Sequence, residues 1–123
     1  MKKTIFIFAT ARHFWLIFLL AGGGAGGKAF SQDTRLWATY YGGTGWADAG
    51  TNVVIDASGN VYLAGYTDSP SGIASGGFQN TYGGGAADAF LVKFNAGGTR
   101  LWATYYGGPA DDQGEGIAID AAG

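Results

Sequence analysis

The 123-residue sequence contains no cysteine and a single histidine, His13, which lies close to the N-terminus. Without cysteine there is no disulfide framework, no thiolate metal site and no cysteine nucleophile. After residue 31 there is no histidine either, which excludes a histidine general base, a histidine-centred triad and the usual zinc site. These absences exclude the commonest hydrolytic mechanisms for the rest of the chain.

Charged residues are also scarce, at 13% of the chain, and they are distributed unevenly. Four of the seven basic residues lie before residue 32, whereas all nine acidic residues lie after it. Removal of residues 1–31 leaves three basic against nine acidic residues, a net charge of -6. An acidic surface repels nucleic-acid phosphates and anionic lipid, so we expect neither as a partner.

The first 31 residues have the organisation of a secretory leader. Lys2 and Lys3 give a positive start, and apolar stretches follow at residues 5–9 and 14–21. Small residues at positions 29 and 31 satisfy a small-x-small cleavage rule. The pattern predicts cleavage after residue 31, so that the mature chain begins at Gln32.

An uncleaved membrane anchor is the alternative interpretation of this segment. Arg12 and His13 interrupt the apolar run well short of the roughly 18 residues that a spanning helix requires. The glycines at residues 22–27 also oppose continuation of a helix. We therefore predict a helical signal peptide over residues 1–31, a secreted or cell-surface location, and no membrane span after cleavage.

An internal repeat is the strongest feature of the sequence. The decapeptide TRLWATYYGG at residues 34–43 recurs unchanged at residues 99–108, an offset of 65. After one residue is dropped, VVIDASG at 53–59 matches IAIDAAG at 117–123. Such self-similarity is typical of architectures built from repeated units.

Within this period we predict a lead strand and then four short strands, each rich in β-branched or aromatic residues. The turns DASGN and NAGGT share the order Asx, Ala, small, Gly, in which the Asx side chain bonds the backbone and the glycine closes a hairpin. The order begins a third time at residues 120–123. The lead strand is expected at 35–41, and the four strands near 52–56, 60–66, 88–94 and 99–106.

The strand sequences do not alternate apolar and polar residues. In VYLAGY at 61–66 and AFLV at 89–92 both faces are apolar or aromatic, whereas a strand with one wet face should alternate. A sheet that is apolar on both faces must be covered on both, as each blade of a propeller is by its neighbours. We predict an all-β fold with antiparallel four-stranded blades of a β-propeller.

The same residues resemble the bacterial SBBP, or seven-bladed β-propeller, repeat. The resemblance runs from about residue 34 to the end of the chain. It implies an extracellular or surface propeller and no single activity. The spacer at residues 44–50 lacks the acidic pair that the second spacer shows as Asp111 and Asp112. The matching segments are LxATYxGG at 36–43, IDASGNVYLAGYT at 55–67, and GG at 84–85 with DAFLVKF at 88–94.

We divide the chain into a signal peptide (1–31), a lead strand and spacer (32–51), one complete propeller-type repeat (52–108), and the truncated start of a further repeat (109–123). The lead strand is expected to pair with the last blade of the whole ring. Repeat arrays generally need about three units for stability. Residues 32–123 alone are therefore predicted to be marginally stable, self-associating or partly disordered.

Acidic residues are the first candidates for a site. Residues 111–115, DDQGE, could offer calcium ligands, although a solvated loop between blades fits better because the spacing of a calcium loop is lacking. Asp111 with Asp112 or Asp88 could serve glycoside hydrolysis, but adjacent strand residues point to opposite faces. We assign no catalytic, cofactor-binding or metal-binding residue and expect no cofactor.

Aromatic residues are the second group of candidates. Trp37, Trp102, Tyr40 and Tyr105 could stack on sugars, but residues at repeating strand positions are more often part of the core. Trp46 occurs once and lies in a spacer, so an exposed contact is expected there. No helix follows the glycine pairs and triplet, so they make no phosphate cradle. Residues 69–77 are predicted to be a flexible surface loop.

The primary hypothesis is a secreted or cell-surface, non-catalytic repeat scaffold whose ring presents loops to a protein or glycan partner. Open blade faces would also allow self-association. The alternative is a fragment of a secreted propeller enzyme, for example a carbohydrate-active one, with its catalytic residues outside this chain. A third interpretation is a truncated, nonfunctional reading frame.

Overall fold

The computed structural model describes residues 3–9, 15–21 and 34–120, and this part of the chain is all-β. Its strands form two antiparallel sheets, ordered β1-β2-β3 and β4-β5-β6-β7. We call the four-stranded sheet the blade. The described residues contain no helix, and therefore none that could cross a membrane. The strands are β1 (Lys3–Ala9), β2 (Trp15–Ala21), β3 (Thr34–Tyr41), β4 (Asp48–Ile55), β5 (Val61–Thr67), β6 (Asp88–Phe94) and β7 (Arg100–Tyr106).

The blade confirms the strands predicted from the repeat. β5, β6 and β7 agree with their predicted bounds to within a residue, whereas β4 begins at Asp48 instead of residue 52. The extra residues pair with the end of β5 through a register shift between Gly50 and Asn52. A bulge of this kind accommodates a polar, glycine-containing stretch that lacks strand propensity.

Both predicted hairpin turns are present. In the first, the Asp56 carboxylate accepts from the Asn60 amide at 2.8 Å, and Gly59 closes the turn with φ of 83°. In the second, the Asn95 side chain accepts from the amides of Gly97 and Thr99, each at 2.9 Å. Because the Asx side chains replace missing backbone partners, these short loops set the register of the strands they join.

The prediction of a helical N-terminal segment is wrong for residues 3–9 and 15–21. They form β1 and β2, and β2 pairs with β3 in a register that sets Leu19 opposite Trp37. The first stretch, KTIFIFA, is rich in isoleucine and phenylalanine, and the second, WLIFLLA, combines leucine with tryptophan, isoleucine and phenylalanine. Isoleucine and the aromatic residues favour strands once a partner strand is available. β3 offers such an edge in the uncleaved chain. Cleavage after residue 31 falls outside the described residues and stays a prediction.

The core lies between β3 and one side of the blade, which we call the β3 face. Tyr41 packs on Phe90 and Phe94, with ring centroids 5.3 and 5.9 Å apart. Trp37 also packs on Phe94, at 6.0 Å. The aliphatic side chains beneath them are fully buried: Val61, Leu63 and Val92.

The connection between β5 and β6 covers the outer edge of the blade. Most of residues 69–77 lie at the surface, as predicted, but the loop is anchored to the sheet at several points. Ser75 and Ala103 exchange backbone hydrogen bonds of 2.9 and 3.0 Å, and Ile73 is fully buried. Two tyrosine hydroxyls anchor the same connection, Tyr41 on the Ile73 carbonyl at 3.1 Å and Tyr105 on the Ser69 carbonyl at 2.8 Å. The edge of β7 is thereby shielded from pairing with another chain.

Candidate functional site: the open blade face and the acidic end

The contact of β3 with the blade depends on Trp37. Its indole N–H donates to the Ala96 carbonyl at 3.0 Å, while the ring lies against Phe94 and over the backbone of Gly98. Gly98 has φ of 86°, which an L-residue rarely adopts. The glycine in the turn therefore leaves room for the tryptophan ring. This contact determines how one decapeptide packs on a blade.

The second copy of the decapeptide, in β7, occupies the opposite environment. Tyr41 is 5% exposed, whereas Tyr106, at the same position of the repeat, is 74% exposed. At the preceding position of the decapeptide the exposed copy is the first one, because Tyr40 is 68% exposed and Tyr105 only 1%. Alternate strand residues face opposite sides. β3 thus buries the side of the decapeptide that carries Tyr41, whereas β7 exposes the corresponding side, which carries Tyr106.

The side of the blade away from β3, which we call the open face, is aromatic and partly covered, with Tyr62 8% exposed and Tyr106 74% exposed. Tyr62 and Trp102 meet edge to face with centroids 6.4 Å apart, and the Lys93 ammonium lies 4.7 Å from the Tyr62 ring centroid. Residues 117–119 form the other wall of a cleft of about 370 Å³ along these side chains. An aromatic surface with one cation suits contact with another apolar sheet or with a planar ligand face.

Aspartates gather at the opposite end of the strands from Lys93 and form what we call the acidic end. Three glycine-containing loops are each closed by a carboxylate that accepts a glycine amide. Asp48 accepts from Gly43 at 2.9 Å, and Asp112 accepts from Gly108 at 2.8 Å. The third loop joins Asp88 to the amide of Gly83. This shared arrangement was not predicted, although glycine pairs followed by an aspartate are its signal in the sequence.

Burial differs among these carboxylates. Asp48 is 9% exposed and also accepts from the hydroxyls of Thr67 and Ser69. Asp88 is fully buried, yet its Oδ1 has no hydrogen-bond partner. Desolvation, with the charge of Asp88 next in effect, raises the pKa of Tyr82 above its usual value. Tyr82 therefore ionises at a higher pH than an exposed tyrosine does.

The candidate carboxylates do not form one cluster. Asp111 accepts from the Ala86 amide, whereas Asp112 caps the Gly108 loop, so adjacent aspartates serve different backbone segments. Asp88 and Asp112 do both lie next to Gly107. Glu115 is exposed. Among residues 36–120 no group of three acidic or histidine side chains converges as a metal centre would require.

The aromatic candidates have mixed outcomes. Tyr105 lies in the core, as predicted. The prediction is wrong for Tyr40, which is exposed because β3 packs on the blade through the opposite side, the one that carries Trp37 and Tyr41. Trp46 is confirmed as exposed, at 82%. Phe78, at 96%, was missed because a single apolar residue in a polar connection carries no pattern. Trp37 and Trp102 are half-buried.

Comparison with known families agrees with this geometry. The sequence model of the SBBP family, described as a beta-propeller repeat, matches residues 36–74. The chain carries an SBBP repeat. The matched SBBP segment begins in β3, crosses into β4 and β5 and ends in the following connection, so the sequence unit spans both sheets. No curated protein and no solved structure matches the chain significantly.

Proposed function

We propose that this chain belongs to an exported, non-catalytic repeat scaffold of the secreted or cell-surface type, in which SBBP repeats stack face to face. The opposite burial of Tyr41 and Tyr106 carries this proposal. One decapeptide already docks on a blade through Trp37 and Tyr41. The other holds Trp102 and Tyr106 in the same arrangement toward the open face, where a neighbouring repeat would fit.

Stacking is tested by the association state of the full chain. We expect reversible, concentration-dependent association through open faces in sedimentation velocity, since an exposed apolar patch promotes contact. Tyr106→Ser should weaken association at least several-fold. Phe78→Ser is the matched control, because Phe78 is also a highly exposed aromatic residue but lies on the connection rather than on the open face. Equal weakening by both variants, or a strict monomer, would refute stacking through this face.

Binding of a protein or glycan partner is the second part of the proposal. Trp46 and Phe78 are the most exposed large apolar side chains among residues 36–120, and both lie outside the strands. Such side chains are favoured at contact sites. The fluorescently labelled chain should bind members of a glycan array, with the signal reduced by Trp46→Ala and Phe78→Ala. Binding that survives both substitutions would exclude these loops as the contact.

Hydrolysis is the competing outcome of the same experiment. Asp88 and Asp112 both lie next to Gly107, but Asp88 is fully buried and would not reach a substrate. We therefore expect array glycans to stay intact, as checked by mass spectrometry of the eluate. Release of shorter glycans by the chain would favour the enzyme.

Export is tested separately. The full chain, expressed in a bacterial host, should appear outside the cytoplasm with Gln32 as its N-terminal residue, because the positive start, apolar stretches and small residues at 29 and 31 fit a leader. Retention in the cytoplasm with residue 1 intact would refute export.

A further inference from the structure

The two copies of the decapeptide are paired with their neighbouring strands in the same register. In the blade, Trp102 of β7 is paired with Lys93 of β6. In the other sheet, Trp37 of β3 is paired with Leu19 of β2. Both sets of pairs then continue in step through the two tyrosines of each copy. β2 therefore stands to β3 as β6 stands to β7.

The irregularity in the two pairings also falls at the same place. Between β6 and β7 the register shifts so that Leu101 is skipped, and between β2 and β3 the same shift skips Leu36. These two leucines hold the same position of the decapeptide. Because a bulge bends its strand and pins the register of the pair, β2 meets the specific edge that β6 meets.

β1 extends the correspondence by one strand. Phe18 of β2 and Val92 of β6 hold the same position in the two pairings. On the far side, Phe18 is paired with Phe6 of β1, and Val92 is paired with Leu63 of β5. The sheet β1-β2-β3 thus reproduces the pairing of β5, β6 and β7.

The sequences of β2 and β6 agree with this correspondence. Residues 16–20 are LIFLL, and the equivalent residues 90–94 are FLVKF. Both are apolar without alternation, except for Lys93. Such runs are typical of a strand that is covered on both faces, as the inner strands of a blade are.

The pairing edge of β3 depends on β2. Among the strands that the structure describes, β3 pairs with β2 alone. Without β2, the backbone of β3 would present a row of unpaired amides and carbonyls, and such an edge is a template for another strand. A strand that carries the β6 register would fit it best.

We propose that residues 3–9 and 15–21 fill the place of a β5–β6 pair on β3 and close its edge to a β6-type strand of another SBBP repeat. The partner is a strand similar to DAFLVKF (88–94), from a repeat whose β6 has no β7 of its own. Addition of that strand would supply main-chain hydrogen bonds along β3. Removal of residues 1–31 would open the edge, and this step alone rests on the export proposed above.

Introduced cysteines test the register in the full chain, which has no cysteine of its own. Ile17→Cys with Thr39→Cys joins a pair of β2 and β3, and Leu91→Cys with Thr104→Cys joins the equivalent pair of the blade. Paired residues of neighbouring strands lie within reach of a disulfide. Both double variants should therefore form an intramolecular disulfide on mild oxidation at low protein concentration, as measured by mass spectrometry.

Ile17→Cys with Ala38→Cys is the matched control, because neighbouring residues of a strand point to opposite faces. Its disulfide should form at least about tenfold more slowly, since cysteines whose Cβ vectors diverge are joined only after backbone movement. Equal rates with position 38 and position 39 would overturn the proposal. So would a blade pair that oxidises while the pair of β2 and β3 does not.

A fluorescently labelled peptide with the sequence of residues 87–95 tests whether the edge is closed. The full chain is given a protease recognition sequence between β2 and β3, and it is folded before it is cut. The uncut chain should bind the peptide weakly, because a tethered strand competes at a high effective concentration. Cutting removes that advantage and should strengthen binding at least about tenfold in fluorescence anisotropy.

The same peptide with Val92→Pro is the control. Proline has no amide hydrogen and interrupts a strand pairing, so this peptide should not bind the cut chain. Equal binding of the unmodified peptide before and after the cut would show that the N-terminal segment does not close the edge. Absence of binding after the cut, or equal binding of the proline peptide, would overturn the β6-type partner. Neither assay involves secretion, so failure of the proposed export would leave both results unchanged.

Discussion

Gly98 lies beneath the indole of Trp37, and a Cβ atom at position 98 would stand 2.6 Å from Cδ2 of that ring. The β6–β7 turn and the first copy of the decapeptide are therefore in direct contact. Because the turn needs a residue with positive φ and the tryptophan needs an uncovered backbone, both requirements select glycine at this position. The contact joins the two sheets at the end of the blade opposite the acidic end.

Gly98→Ala tests this contact. We expect a loss of about 2–4 kcal/mol in the free energy of unfolding, from the strained φ of 86° together with the displaced ring. Gly97→Ala is the matched control, since its Cβ would meet only the Asn95 side chain, at 3.4 Å, and should change stability by less than about 1 kcal/mol. Urea unfolding of both variants decides between them, and equal losses would contradict the role of Trp37.

The same substitution in the two copies of the decapeptide should have opposite consequences. Tyr41→Ala removes a ring packed on Phe90 and Phe94 and should cost about 3–5 kcal/mol in urea unfolding. Tyr106→Ala alters an exposed side chain and should cost less than about 0.5 kcal/mol under dilute conditions. Comparable losses at both positions would mean that the two copies share one environment.

Acid should weaken the first hairpin of the blade. Although desolvation acts in the opposite direction, hydrogen bonds from the side chain and backbone of Asn60 and from Tyr62 lower the pKa of Asp56 below its usual value. A lowered pKa in the folded state contributes stability above the unfolded pKa of about 4 and loses it as the pH falls through the folded value. Asp56→Asn should flatten the acid side of the stability profile measured by urea unfolding. An unchanged slope below pH 4 would contradict this.

Alkali should act through Tyr41. Burial is the main cause that raises the pKa of Tyr41, with the nearby Arg100 acting in the opposite direction. The buried phenol thus contributes stability that is complete below the unfolded pKa of about 10 and is lost as the pH rises above it. In an absorbance titration at 295 nm this tyrosine should ionise only together with unfolding. Tyr41→Phe should remove part of the alkaline instability, and ionisation of every tyrosine in the folded state would refute the prediction.

The repeat predicts the blade well because its signals are local. Strand propensity, glycine punctuation and the two Asx turns are properties of short stretches, and β5, β6 and β7 appear where these stretches indicate. The start of β4 was missed because Asp48 is a poor strand former that is held by Thr67, a partner distant in sequence. A pattern read from neighbouring residues does not reveal a contact between residues that are distant in sequence.

The candidate site was only partly predictable for the same reason. The identity of residues 34–43 and 99–108 suggests one role for both copies. Which side chains of each copy are buried, however, depends on the sheet against which that copy packs. The position of Asp88 and Asp112 next to Gly107 arises from the path of the chain after β7. The helix predicted over residues 1–31 is wrong for β1 and β2 because their composition suits both a helix and a strand. Pairing of β2 with β3 favours the strand.

The offset between the sequence unit and the sheets has a genetic consequence. The SBBP unit begins in β3 and continues in the blade, and the Trp-Tyr side of the first decapeptide packs on two phenylalanines of that blade, Phe90 and Phe94. Unequal crossing-over between the stretches that encode the two identical decapeptides, 65 residues apart, would add or delete a whole unit that carries the same Trp-Tyr side chains at its boundary. Such a gene can vary the number of its repeats without the need for any compensating mutation at the new boundary.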